Sequence, residues 1–321
     1  MGRRRKGEPV HGWLVVDKPE GLTSTQVVSK VRRLFNAAKA GHGGTLDPIA
    51  TGILPIAFGE ATKTVSYAMD GRKTYRFTVR WGESRDTDDR EGKVTATGDK
   101  RPSREEIEAM LPRFTGEIVQ TPPAFSAIKV DGERAYDLAR DGEIVELRPR
   151  LIRIDALRLV ETPDADTAVF EADSGKGAYM RALARDFGVF LGTPSHLTAI
   201  RRTAVGPFIL DDAVTLEHIE AAAGDPAALE STLLPIETPL DDIPAVALTE
   251  AEAHRMRCGQ PVTLLRRSDR ERLESLTRDL SDDDVFRAVD TIVLAVLGDL
   301  PVALARVDGA ELHPVRVLNL V

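Results

Sequence analysis

Short apolar segments with strand-like patterns recur along this chain, and no regular strand–helix–strand rhythm connects them. Residues 13–16 form an uninterrupted apolar run, and "ILPIAFG" at residues 53–59 is typical of a buried strand. In "KTYRFTVRWG", apolar residues alternate with polar or basic ones, which predicts a half-buried strand with one basic face. We therefore expect an α+β fold, with a mixed, mainly antiparallel sheet flanked by helices.

Helix signals lie between these strands. Thr23 or Ser24 can cap a helix whose apolar residues recur at helical spacing as far as Phe35. Ser103 and Glu106 have the spacing of a capping box, which predicts a second helix. A third, amphipathic helix is predicted to pass through residues 180–187. The polar segment 86–98 is expected to be a loop.

A change in composition predicts a domain boundary. Residues 211–250 contain several prolines and no Lys or Arg, as expected for helices and a linker. Near the C-terminus, short apolar runs separated by turns predict a small β-barrel-like unit. We expect a large domain over residues 1–245 and a small one over 246–321. The charged stretch 266–284 interrupts the small domain, and no role is assigned to it.

Charge is divided unevenly along the 321 residues. The net charge of −8 alone argues against a nucleic-acid partner, but residues 211–321 have a balance of −12 and the first 210 residues one of +4. Basic residues of the first part cluster at 3–6, 32–33, 72–76, 148–153 and 201–202. Each cluster alone is typical of a solvated face. Together they permit a polyanion-binding surface.

Other features of the composition exclude several classes of protein. No apolar run is long enough to span a membrane, and no apolar stretch follows the basic N-terminus as in a signal peptide. The single Cys258 cannot form an internal disulfide, and no Cys/His cluster has metal-site spacing. We expect a cytoplasmic protein with no metal or other cofactor. A monomer is the default, because no self-pairing element is evident.

The stretch "GHGGTLDPIATGILP" at residues 41–55 places a single carboxylate, Asp47, between a glycine-rich approach and a proline. An aspartate before proline is commonly only a turn residue. The loop lacks the G-K-[ST] ending of a phosphate-binding P-loop, and it is not a G-x-G-x-x-G dinucleotide fingerprint. The motif alone leaves the function of Asp47 open.

Four segments together resemble the signatures of a known enzyme family. "DKPEGLTS", "GGTLDPIATGILP", "KTYRF" and "SGKGAYMRALARDFG" occur in this order and are similar to those of the pseudouridine synthases of the bacterial TruB family. The resemblance covers about residues 12–208. It implies a tRNA pseudouridine synthase that isomerises the T-loop uridine at tRNA position 55, after flipping it out, with the T-arm of tRNA as partner and no cofactor. RNA-folding activity is compatible with it.

The resemblance also implies roles for individual residues. Asp47 would be the essential catalytic carboxylate, and Arg181 would pair with it and keep it ionised. Tyr75 would stack on the flipped base and take part in removing the C5 proton. Tyr179 would shape the pocket, and Ile200 would supply an apolar contact to the base. A core aromatic and a surface arginine are the structural alternatives for Tyr75 and Arg181.

Further residues are implied in RNA binding. The segment "QTPPAFSAIKVDGERAYDLAR", within residues 120–150, resembles the family's thumb insertion, with Lys129 and Arg134 as RNA contacts. His42 resembles the histidine that supports the opened T-loop, although an exposed loop histidine is the alternative. Lys18, in the first signature, would hold the framework of the pocket and is also predicted to bind RNA. Arg201, in the basic pair 201–202, is predicted to bind RNA as well. The C-terminal part weakly resembles a PUA domain.

Two other functions remain open at this stage. A glycosidase could use Asp47 with a second carboxylate, for which only Asp17 or Asp70 can be nominated. A non-catalytic RNA-binding module could use the thumb-like segment and the C-terminal domain. The range of RNA substrates is not determined by the sequence.

Overall fold

A computed structural model describes residues 7–126, 129–130, 133–135, 147–264 and 291–320. Its strands, numbered along the chain, are β1 (Gly12–Lys18), β2 (Ala40–His42), β3 (Ala50–Phe58), β4 (Lys73–Trp81), β5 (Glu83–Arg85), β6 (Val94–Thr97), β7 (Gly116–Gln120), β8 (Lys129–Val130), β9 (Glu133–Arg134), β10 (Arg150–Asp164), β11 (Thr167–Ser174), β12 (Ser195–Val205), β13 (Phe208–Ile209), β14 (Val214–Thr215), β15 (Ala245–Ala247), β16 (Val262–Thr263), β17 (Ile292–Leu297), β18 (Leu300–Asp308) and β19 (Glu311–Val317). The α-helices are α1 (Ser24–Leu34), α2 (Val65–Asp70), α3 (Arg104–Met110), α4 (Met180–Leu191), α5 (Leu216–Ala221), α6 (Pro226–Glu230) and α7 (Glu250–Arg257).

Ten of these strands form one large sheet. Its order is β14-β1-β3-β12-β4-β11-β10-β7, with β2 paired to β3 and β13 paired to β12. Only the β1–β14 and β3–β12 pairs of this sheet are parallel, and the others are antiparallel. The mixed, mainly antiparallel α+β fold expected from the sequence is therefore confirmed.

The predicted alternation in β4 is also confirmed. Phe77, Val79 and Trp81 are buried, whereas Arg76 and Arg80 on the other face are exposed. Helix α4 packs against this sheet through Phe187, whose ring centroid lies 5.1 Å from that of Phe170 on β11. Full burial of such a phenylalanine contributes about 1.5–3 kcal/mol. This packing fixes α4 over the centre of the sheet.

Local signals set the beginnings of the helices. The Thr23 hydroxyl accepts a hydrogen bond from the Gln26 amide, and Ser103 with Glu106 forms the predicted capping box of α3. The amphipathic helix predicted around residues 180–187 is α4. The segment 86–98 is not simply a loop. Its last part forms β6, which pairs with β5 because the β-branched run "VTAT" suits a short hairpin.

The C-terminal part forms a separate five-stranded sheet in the order β15-β17-β18-β19-β16. Helix α7 packs on it through Ala253 and Met256, which fits the expected small PUA-like domain. Lys63, which follows β3 of the large sheet, donates from Nζ to the carbonyl of Val317 on β19 over 2.6 Å. This hydrogen bond connects the C-terminal sheet to the large domain. The division at residue 245 stays a prediction, and the stretch 266–284 lies outside the described residues.

Within the described ranges, no helix has the length and apolar character needed to cross a membrane.

Candidate active site

A cavity of about 350 Å³ opens where β4, β12, the start of α4 and the loop before β3 meet. Five of the residues predicted from the sequence line it: Asp47, Tyr75, Tyr179, Arg181 and Ile200. These residues come from four separate parts of the chain. The structure thus brings the predicted active-site residues together at one cavity.

The Asp47 loop, defined as residues 44–53 and therefore including the first four residues of β3, is held from several sides. The buried Ser24 hydroxyl, at the start of α1, accepts from the Leu46 amide at 2.8 Å and donates to the Leu46 carbonyl at 3.0 Å. The Ala50 amide donates to the Asp47 carbonyl. Gly44 has φ +122°, a conformation that favours glycine. The Asp47 side chain remains 44% exposed, so it is accessible from the cavity.

Arg181 lies in the first turn of α4 and binds Asp47. Its Nη2 atom is 2.9 Å from Asp47 Oδ2, and the arginine side chain is only 7% exposed. The same guanidinium donates to the carbonyls of Thr87, at 3.1 Å, and Phe125, at 2.9 Å. A guanidinium held in this way can orient a carboxylate by charge-assisted hydrogen bonding. The predicted Asp47–Arg181 pair is therefore present.

A second carboxylate lies on the other side of Arg181. Asp89 Oδ2 is 3.7 Å from Arg181 Nε, and Asp89 is 4% exposed. Asp89 is not among the residues predicted from the sequence, because it lies in the polar segment 86–98, which is expected to be a loop. The run "DTDD" at residues 86–89 is polar throughout, so nothing in the local sequence indicates that Asp89 is buried. The guanidinium of Arg181 thus lies between two carboxylates, those of Asp47 and Asp89.

Tyr75 and Ile200 lie on neighbouring strands. Tyr75 on β4 is opposite Arg202 on β12, and Ile200 is opposite Phe77. Both Tyr75 and Ile200 are partly buried and pack against the core beneath α4. Their side chains therefore form an apolar floor for the cavity.

Tyr179 is fixed just before α4. The Gln120 side chain accepts from the Tyr179 amide at 2.9 Å and donates to its carbonyl at 3.2 Å. The guanidinium carbon of Arg150 lies 5.2 Å from the Tyr179 ring centroid, a cation–π geometry. These contacts hold the ring at the wall of the cavity, as expected for a residue that shapes the pocket.

The Lys18 side chain is fully buried below the Asp47 loop. Its ammonium donates to the carbonyls of Pro19, Leu22 and Pro48 over 2.8, 2.7 and 3.3 Å. Burial lowers the Lys18 pKa to about 8, against the attraction of Asp47 and Glu20. This position agrees with a framework role. An RNA contact by Lys18 stays a prediction.

Of the other predicted RNA-binding residues, His42 and Arg201 are not among the residues that line the cavity. His42 is half-buried on β2, and burial and the nearby Arg202 lower its pKa, which favours the neutral ring. Arg201 donates to both oxygens of Asp17, at 3.0 and 2.7 Å. Lys129 and Arg134 are paired in the β8–β9 hairpin, and their side chains lie outside the described part. RNA contacts by these four residues stay predictions.

Two basic residues that the sequence analysis assigned to surface clusters are buried instead. Lys73 is 7% exposed and Arg202 is 2% exposed, and both line the cavity. Burial lowers the Lys73 pKa to about 8, and the charge of Arg202 acts in the same direction. Strand alternation could have revealed both, because Lys73 is in phase with Tyr75 on β4 and Arg202 with Ile200 on β12.

The described residues contain no group of three or more His, Cys, Asp or Glu side chains placed to hold a metal ion. Catalysis without a metal or cofactor stays a prediction.

Comparisons with known proteins agree with this arrangement. A family model described as "TruB family pseudouridylate synthase (N terminal domain)" matches residues 32–180, and one described as "tRNA pseudouridylate synthase B C-terminal domain" matches residues 181–241. The chain is 56% identical to "tRNA pseudouridine synthase B" of Bradyrhizobium diazoefficiens, over 99% of this chain and 88% of that protein. It is 55% identical to the protein of the same name from Rhodospirillum rubrum, over 100% of both.

The fold is similar to that of a solved protein in the "archaeal box H/ACA sRNP Nop10-Cbf5 complex". The TM-score is 0.69 at 20% identity, with 99% of this chain and 93% of that chain covered. At this level of identity, the likeness concerns the fold alone.

Proposed function

Because this chain belongs to the TruB family of pseudouridine synthases, we propose that it acts on the T-loop uridine at tRNA position 55 with Asp47 as its essential carboxylate. Family membership establishes the broader activity: the protein is an isomerase that converts uridine to pseudouridine in tRNA. The position within tRNA and the part taken by Asp47 are the proposal.

The observation that supports the role of Asp47 is its pairing with Arg181 at the cavity. The carboxylate is oriented by a buried guanidinium over 2.9 Å and yet is 44% exposed. A charge held in this way costs little reorganisation when a cationic centre develops beside it. An aspartate that only stabilised a turn would not need a buried arginine as partner.

The reaction requires a group that can act on the sugar. The bond between N1 and C1′ breaks, the uracil turns, and C5 bonds to the same C1′; the C5 proton leaves and N1 gains a proton, so product and substrate are isomers. Positive charge develops at C1′ when the first bond breaks. The ionised Asp47 would stabilise this charge, by contact or by a covalent bond to the nucleotide.

Tyr75 and Ile200 would hold the flipped uracil. Tyr75 offers a ring for stacking, and Ile200 an apolar surface on the adjacent strand. Extruding a base costs a few kcal/mol, which stacking on an aromatic ring offsets by about 1–3 kcal/mol. Lys129, Arg134, Arg201 and His42 would contact the T-arm. The domain over residues 246–321 would add an accessory RNA contact.

Tritium release tests the reaction and the role of Asp47 together. The substrate is an unmodified tRNA transcript labelled with tritium at uridine C5, and the product is mapped to its position. We expect wild type to release one tritium per tRNA at the T-loop uridine, whereas Asp47→Asn releases none and binds tRNA with nearly unchanged affinity.

A matched control is Asp155→Asn, which changes an aspartate paired with Arg153 on the exposed face of β10 and should leave turnover unchanged. Turnover by Asp47→Asn would contradict the role of Asp47. Stoichiometric release from another uridine would contradict the T-loop assignment.

The glycosidase alternative gains no support from the placement of the nominated carboxylates. Asp17 is bound by Arg201, and Asp70 by Lys176 at 2.6 Å; neither lines the cavity with Asp47. A glycosidase usually has two carboxylates flanking the bond that breaks. Free uracil released from the labelled tRNA would favour this alternative, whereas isomerisation leaves the RNA mass unchanged.

A further inference from the structure

Arg202 is a buried cation whose side-chain hydrogen bonds all go to the Asp47 loop. Its Nε donates to the Ile53 carbonyl at 2.8 Å, Nη1 to the Thr45 carbonyl at 3.2 Å, and Nη2 to the Gly44 carbonyl at 3.2 Å. These acceptors flank Asp47 on both sides in sequence. One rigid guanidinium therefore joins the beginning of the loop to its end.

The backbone of Arg202 adds a second constraint. Arg202 is opposite Gly52 on β3 and opposite Tyr75 on β4. Gly52 has φ +95°, and a Cβ atom there would lie 2.1 Å from the Arg202 carbonyl oxygen, so only glycine permits this approach. The same residue thus fixes the Asp47 loop relative to the strand that holds Tyr75.

Arg202 forms no ion pair with a carboxylate in the part of the chain that the structure describes. The adjacent Arg201, in contrast, is bound by Asp17. A buried charge without a carboxylate is costly unless it is well hydrogen-bonded, and here only loop carbonyls compensate it. A role in holding the Asp47 loop would account for an arginine at this buried position.

We propose that Arg202 is a positioning residue for catalysis, which holds the Asp47 loop in the geometry that presents the carboxylate to the target nucleotide. The inference rests on the proposed role of Asp47. Arg202 acts through the loop and takes no proton.

The first test separates the chemical step from RNA binding. Arg202→Lys keeps the charge, but a single ammonium cannot span the three carbonyls. With enzyme in excess and tRNA saturated, we expect the single-turnover rate constant to fall about 10- to 100-fold, since small errors in placement have effects of this size. The tRNA dissociation constant should stay within about threefold. Arg158→Lys, an exposed arginine on β10 paired with Glu171, is the control and should change neither quantity.

A rate constant for Arg202→Lys within about twofold of wild type would overturn the proposal. A second variant, Arg202→Ala, should regain part of the lost rate when guanidinium is added, because the vacated space adjoins the cavity. Absence of rescue in folded Arg202→Ala would also count against positioning.

Hydrogen exchange gives a readout that does not depend on activity. Peptides covering residues 44–53 should exchange faster in Arg202→Lys than in wild type, whereas Arg158→Lys should leave them unchanged. Unchanged exchange would contradict the proposal. Asp47→Asn, assayed in parallel, separates the two hypotheses: full activity in that variant refutes the role of Asp47, while loop exchange still reports on Arg202.

Discussion

Arg181 Nη2 lies 2.9 Å from Asp47 Oδ2 and also 2.9 Å from the carbonyl oxygen of Phe125. One guanidinium therefore joins the Asp47 loop to the base of the thumb-like segment. The arginine is buried and its carboxylate partner is accessible. This relationship explains how a carboxylate can be oriented at an open cavity without being withdrawn from substrate.

Arg181→Lys should impair the chemical step more than tRNA binding. A lysine cannot contact Asp47, Thr87 and Phe125 with the fixed geometry of a guanidinium. We expect the single-turnover rate of tritium release to fall at least about 100-fold, with tRNA affinity within a few fold of wild type. Arg113→Lys, a change of an arginine outside the cavity, is the control. A parallel loss of rate and affinity would instead indicate that Arg181 mainly binds RNA.

Two substitutions of Tyr75 should have different effects. Tyr75→Phe keeps the ring for stacking, so tRNA affinity should be retained, while tritium release should slow if the hydroxyl takes the proposed part in removing the C5 proton. Tyr75→Leu removes the stacking surface as well and should weaken binding of the flipped nucleotide by about 1–3 kcal/mol. Filter binding and tritium release measure the two effects. Equal tritium release by wild type and Tyr75→Phe would show that the hydroxyl takes no part.

Ser24→Ala should loosen the Asp47 loop. The change leaves the buried amide and carbonyl of Leu46 without the Ser24 partner, which costs about 1–3 kcal/mol in the free energy of unfolding. We also expect slower tritium release. Ser29→Ala, on the exposed side of the same helix, is the matched control and should change stability little. Urea unfolding measures the difference; equal stability of the two variants would contradict the proposed loop anchor.

The pH dependence of stability should change in Lys73→Met. Burial lowers the Lys73 pKa from 10.5 to about 8 in the folded protein. Below about pH 8, lysine is charged in both states, and the folded state bears the desolvation cost, on the order of 3 kcal/mol. Between about pH 8 and 10.5 the folded protein binds fewer protons than the unfolded chain, so wild-type stability rises relative to the variant.

We therefore expect urea unfolding at pH 7, 8.5 and 10 to show that the free energy of unfolding of wild type, relative to that of Lys73→Met, increases as the pH rises. Lys100→Met, which removes an exposed lysine, controls for the loss of one positive charge. If the difference in the free energy of unfolding between wild type and Lys73→Met stayed constant with pH, the lowered pKa of Lys73 would be contradicted.

Much of the local structure could be predicted because its causes are local. The cap at Thr23, the capping box at Ser103 and the alternation of β4 depend on neighbours in sequence. The hairpin containing β6 was missed because its four residues are exposed and lie in an otherwise polar segment. Asp89, Lys73 and Arg202 were missed for another reason, which is that charged residues are usually exposed. Strand alternation places Lys73 and Arg202 on inward-facing positions, whereas no local pattern marks Asp89 as buried.

The sequence by itself determined the fold class, the identity of the Asp47 loop and the family resemblance, because periodicity and motif order are properties of the chain alone. Only the tertiary structure decided what the two arginines of the pair 201–202 contact: Arg201 is bound by Asp17, while Arg202 is buried against the loop. The physical reason is that the environment of a charge depends on strands that are distant in sequence. The pairing of β12 with β3 and β4 brings Arg202 to the carbonyls that compensate its charge.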